Sequence, residues 1–130
     1  MSGDLFGQFV PAAALLSPQL RLEMVPSDTM EPTLRSRWDH VLVRPCTSYE
    51  GEGIYLMSDA FGGVKLTRAS STLGGRKGHL LLYSDNKHYG EHLVERDWFD
   101  ESVLAIVVAD VKVRDARLLM AAPGSREARP

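Results

Sequence analysis

Through most of the chain, apolar and polar residues alternate with a period of two, and no stretch sustains the period of a helix. In QLRLEMV (19–25) the apolar Leu20, Leu22 and Met24 are separated by Arg21 and Glu23, the pattern of a strand with one face buried. HVLVRP (40–45), GIYLMS (53–58), GGVKLTR (62–68) and HLLLY (79–83) predict four more strands. VLAIVVADVKVR (103–114) is β-branched and long, and predicts a buried strand that runs on into an alternating one. Turn signals separate these segments: SDAFGG reads as a hairpin connection, ASSTLGGRKG as a polar glycine-rich loop, and SDNKHYG as a turn. The expected architecture is mainly β, a folded sheet or barrel in one domain over residues 19–117. Residues 1–18, with PAAALLSP, are expected to form a lead-in of one helical turn or a packed strand, and 118–130 a flexible tail.

Composition narrows the functional classes. The chain has 130 residues, enough to bury a core, and its 44% hydrophobic and 25% charged content is that of a globular domain. A net charge of −2 argues against a dedicated nucleic-acid surface, so any role at DNA is assigned to a separate module. The one cysteine, Cys46, cannot form an internal disulfide and demands no oxidising compartment. The longest apolar runs, Phe9–Leu16 (broken by Pro11) and Val103–Ala109, fall short of the roughly 20 residues that a bilayer requires. Asp4 comes early and no basic residue precedes the apolar run, unlike a secretory signal. A cytoplasmic location is the expectation.

Four blocks carry the chemistry, in this order: SDTMEPTL (27–34), WDHVLVRP (38–45), EGEGIYLM (50–57) followed by GGVKLTR (62–68), and LLLYSDNKHYGEHLV (80–94). Together they make the chain resemble the C-terminal peptidase domain of LexA-type and phage-type repressors, which is related to signal peptidases. The first is similar to the family's Gly-Asp-Ser-Met-Glu-Pro-Thr-Leu and the second to its Gly-Asp-x-Val-x-Val, with RSRWD one residue longer. The third places Lys65 after a valine, where the family has its catalytic lysine. The fourth aligns Leu82, Ser84, Asn86 and Tyr89 with a Leu-x-Ser-x-Asn-x-x-Tyr block. The likeness spans about residues 22–110. It implies a LexA-like folded sheet, Thr29 at the nucleophile position and Lys65 as general base, with no cofactor. Ser27 and Met30 are counted with the candidate site. The likeness also implies a homodimer that sets two DNA-binding heads on a two-fold operator, and a recombinase filament or other protein as a possible inducer.

In such a dyad the hydroxyl becomes nucleophilic when a neutral amine removes its proton, and a lysine serves only if burial among apolar neighbours lowers its pKa. Val64 and Leu66 flank Lys65 on a predicted internal strand; without the surrounding motifs it would read as an ordinary solvent-facing lysine. Three features depart from the pattern. Thr29 replaces serine, and its extra methyl restricts χ1 and crowds an approach that tolerates displacements of only about 1 Å. Ser27 stands where the family has glycine; in an extended segment it would share a face with Thr29 as a substitute hydroxyl. Residues 1–24 contain neither of the family's usual cleavage dipeptides, Ala-Gly or Cys-Gly. A helix-turn-helix head of roughly 55–70 residues does not fit ahead of the domain. The expected function is therefore a dimerisation and regulatory domain of a LexA-like or prophage-type transcriptional regulator, with a degenerate Thr29–Lys65 dyad and little or no self-cleavage. The alternative is an active peptidase, with backbone N–H groups around Thr29 as oxyanion donors.

Other candidates read more simply. His88 and His92, with Asp85 and Glu91 nearby, lack a complete ligand set, and Asp85 and Asn86 are expected to hold a turn, so no metal is expected. GGRKGH (74–79) lacks the strand and helix context of a phosphate loop. Cys46 reads as a small packing residue, Trp38 and Trp98 as core or interface anchors, and strand 103–113 as a possible dimer surface.

Overall fold

The computed structural model describes residues 9–71 and 77–121, so parts of the lead-in, of the glycine-rich loop and of the tail lie outside the described residues. Seven antiparallel strands form one sheet in the order β1-β2-β7-β3-β4-β5-β6. They are β1 (Arg21–Met24), β2 (His40–Pro45), β3 (Gly53–Ser58), β4 (Val64–Ser70), β5 (His79–Tyr83), β6 (His92–Glu95) and β7 (Val103–Val111). The chain is thus a mainly β single domain, as its alternation predicts. Short helices α1 (Arg96–Ser102) and α2 (Ala116–Met120) and two tight helical turns, Ala12–Leu16 and Asp28–Met30, complete it. The lead-in takes the helical-turn alternative, and α2 crosses the expected boundary at 117. No helix among the described residues is long and apolar enough to cross a membrane.

Local chemistry sets the strand ends. β4 starts at Val64 because Gly62 and Gly63 belong to the hairpin turn: the Asp59 carboxylate accepts the N–H groups of Phe61 and Gly63 at 2.8 and 2.9 Å. Gly62 there has φ of 84°, a conformation that favours glycine. β7 leaves the sheet after Val111, and Lys112 turns away to donate to the Thr33 carbonyl and the Asp39 carboxylate.

Alternation gives the sheet two apolar faces, each with its own cover. On one face Val41, Val43, Leu56, Leu66 and Ala105 pack beneath Val25, Met30 and Leu34 of the irregular segment 25–39. On the other, Tyr55, Met57, Ala69, Leu80, Leu82 and Val103 pack with Cys46 and with Phe99 of α1. Trp38 and Trp98 are not core anchors, being 40% and 46% exposed. The Trp38 ring lies under the Arg35 guanidinium, and its N–H reaches the Val113 carbonyl. β7 sits between β2 and β3 with both edges paired, so strand 103–113 offers a partner only side chains such as Leu104 and Val108, and no edge.

Candidate functional site

Between β4 and β5 the ladder is incomplete. β4 pairs with β3 from Val64 to Ala69, but with β5 only over Arg68–Ser70. The edge at the start of β4 is therefore unpaired by any strand among the described residues, and the Asp28–Met30 turn packs beside it. Thr29, buried at 6% exposure, donates its hydroxyl to the Leu66 carbonyl at 2.7 Å. The fold thus brings Thr29 to the carbonyl of Leu66, the residue after Lys65.

The two residues differ in surroundings. Lys65 lies directly opposite Met57, while Leu66 lies opposite Leu56. Strand alternation therefore puts Lys65 on the sheet face of Met57, and Leu66 on the face that Met30 covers. Lys65 is exposed, not enclosed as a general-base lysine must be, and Val64 beside it is exposed too. Leu66 is the only one of the two flanking apolar residues that is buried. Past Val64, on the Leu56 face, an open groove of about 360 Å³ runs along Arg21, Glu23, Val43 and Leu104.

Ser27 does not share a face with Thr29. It is extended, but the chain coils tightly at Asp28–Met30, and this breaks the alternation a straight strand would give. The Ser27 hydroxyl is enclosed and has no hydrogen-bond partner among the described residues. Met30 is fully buried and serves as a core residue.

The fourth motif holds this turn in place. Asn86 donates its backbone N–H to the Thr29 carbonyl and its side-chain amide to the Asp28 carbonyl, both at 3.0 Å. Its side-chain oxygen accepts the His88 N–H at 3.0 Å, which closes the turn at 84–89 as expected. Tyr89 donates its hydroxyl to the Asp28 carboxylate at 2.5 Å, and that bond is the main reason its phenol is pushed above the ordinary tyrosine value. Asp85 acts differently from the expectation: it bonds side chains, not the turn backbone. Arg68 donates to it through two nitrogens at 2.6 and 3.1 Å, and the Thr33 hydroxyl at 2.5 Å. The Arg68 bond, foremost, holds the Asp85 carboxyl below the usual carboxylate range against the opposing effect of burial.

Asp39 anchors the far end of segment 25–39. Fully enclosed, it accepts the Arg35 N–H at 2.7 Å and the Lys112 ammonium at 3.0 Å. Burial raises its pKa, but these donors and the Arg35 charge outweigh burial and leave the carboxyl lowered. No spacing in the sequence signals this contact across 73 positions. His88 sits in the turn and His92 opens β6, and among the described residues no three His, Cys, Asp or Glu side chains converge as a metal site. Cys46 is buried, and burial pushes its thiol up. Within GGRKGH, residues 74–76 lie outside the described residues. No protein-family model matches the chain, and no curated protein matches it.

Proposed function

We propose that this chain is the regulatory and dimerisation domain of a LexA-like or prophage-type transcriptional regulator, in which the Thr29–Lys65 pair does little or no self-cleavage. DNA binding falls to a separate helix-turn-helix module, and an inducer such as a recombinase filament would act through this domain. One observation carries the silent-dyad reading: the Thr29 hydroxyl proton is directed at the Leu66 carbonyl while Lys65 faces solvent. For attack on a peptide carbonyl, that proton must pass to a neutral amine as the Oγ1–C bond forms. A hydroxyl committed to a backbone acceptor, with a β-methyl restricting its χ1, is poorly placed for this.

The alternative, a working peptidase, draws support from the rigid placement of Thr29 against β4 and from the unpartnered Ser27 hydroxyl. Prolonged incubation at alkaline pH separates the readings, with fragments followed by mass spectrometry for wild type, Thr29→Ser, Thr29→Ala and Lys65→Ala. The silent dyad predicts no wild-type fragments. Wild-type cleavage that vanishes in both Thr29→Ala and Lys65→Ala would establish the peptidase. Fragments only from Thr29→Ser would identify an intact site that lacks its usual nucleophile.

A further inference from the structure

β1 is an edge strand, and among the described residues its outer side has no backbone partner. The Val25 N–H donates to the Asp39 carbonyl at 3.0 Å, continuing the β1–β2 register. Antiparallel alternation from that bond turns the N–H and C=O groups of Arg21 and Glu23 towards β2, and those of Leu22 and Met24 outward. The edge is apolar on one face, where Leu22 and Met24 are 59% and 50% exposed. Its other face carries one positive and one negative charge two residues apart, Arg21 and Glu23. An uncovered edge of this kind is a template for another strand.

We propose that β1 pairs antiparallel with β1 of a second copy of this chain, about a two-fold axis at Leu22, so that the two sheets become one. The register follows from three constraints. A shift by one residue would set the core-facing side of one strand against the outward side of the other. Shifts that keep faces matched place one residue of β1 on the axis against itself, Arg21, Leu22, Glu23 or Met24, and the Met24 register sets Leu22 against Pro26, which has no N–H to donate. The Arg21 and Glu23 registers oppose like charges directly, which destabilises a pair. Only the Leu22 register sets each Arg21 opposite a Glu23 of the other copy, with Leu22 on Leu22 across the opposite face. In that register the two Leu22 residues exchange both backbone bonds, and each Met24 N–H meets the Leu20 carbonyl across the seam. The Leu20 N–H takes no part, because it already donates to Ser17.

This pairing deepens the dimeric part of the proposed function and is independent of what Thr29 does. Its test is a charge swap read by sedimentation or light scattering over a dilution series, with thermal melts confirming that each variant is folded. Wild type is expected to be dimeric. Arg21→Glu and Glu23→Arg, each of which creates two like-charge contacts, weaken the dimer on the order of tenfold. The double variant Arg21→Glu/Glu23→Arg restores it, since the opposed charges again differ. A dimer indifferent to the single reversals, or one not restored by the double, overturns this edge but leaves dimerisation standing. A monomeric wild type at high concentration overturns both.

Discussion

The two faces of the sheet are covered by opposite means. One is sealed by apolar matter: Phe99 of α1 packs edge-on against Tyr55 and Tyr49 at centroid distances of 5.1 and 5.9 Å. The other is sealed by segment 25–39, which is irregular and must find partners for its peptide groups outside any regular ladder, many of them side chains. It finds them in Asn86, Lys112, Asp39 and a Glu31 carboxylate that accepts the Ser36 N–H. Thr29 staples in the other direction, its hydroxyl satisfying the Leu66 carbonyl on the β4 edge that no strand among the described residues pairs. The polar residues that stand out in the sequence as catalytic blocks are, in the structure, largely the staples of an irregular cover. The same residues would hold a nucleophile still, which is why motif and chemistry are easily equated.

The two faces therefore respond to different insults. Truncating Phe99 to alanine empties a fully buried aromatic position in its cluster and should cost about 3–5 kcal/mol of unfolding free energy, with near-ultraviolet circular dichroism showing loosened tyrosines. On the stapled face, Asp39→Ala leaves the Arg35 N–H without its acceptor and should cost about 2 kcal/mol. That face should also be sensitive to acid. Asp39 and Asp85 both titrate lower in the folded chain than in the unfolded one. Their contribution is present above the unfolded value, near 4, and is lost as pH falls through the folded values. Urea midpoints should hold steady from pH 7 to about 5 and drop below about 4, and Asp85→Asn should flatten the drop. A pH response unchanged by that substitution would remove Asp85 from the account. Asn86→Ala, which removes the amide staple to Asp28 and the turn bond from His88 but keeps the backbone N–H to Thr29, should cost about 1–2 kcal/mol while leaving the aromatic signal intact. A loss of tyrosine signal there would mean that the two covers are not independent.

How much of this was legible in the sequence follows the same division. β2 and β5 have the bounds that alternation predicts because one residue set of each faces a core, and β3, buried on both faces at Tyr55–Met57, has the expected bounds because turn residues close both its ends. β6 escaped notice: HLVE is four residues at a sheet edge with none buried. α1 was equally silent, since a seven-residue helix with only Phe99 buried has no room to display a period. The Thr29–β4 meeting was anticipated through the resemblance, but the open face at Lys65 was not. Apolar neighbours on a strand point to the opposite face, so Val64 and Leu66 could not enclose the lysine between them. The pairs Arg68–Asp85 and Lys112–Asp39 join residues far apart in the chain, and no local pattern announces them.

The claim at the centre is that the Thr29 hydroxyl is a structural donor to the Leu66 carbonyl. Thr29→Val tests it most directly, because valine keeps the shape and removes only the donor. Measured by urea unfolding, Thr29→Val should be less stable than wild type by about 1–3 kcal/mol, while Thr29→Ser, which keeps the bond and loses one methyl, should cost about 1 kcal/mol or less. A Thr29→Val variant as stable as wild type would contradict the account, for the hydroxyl would then be held at β4 for some purpose other than the fold.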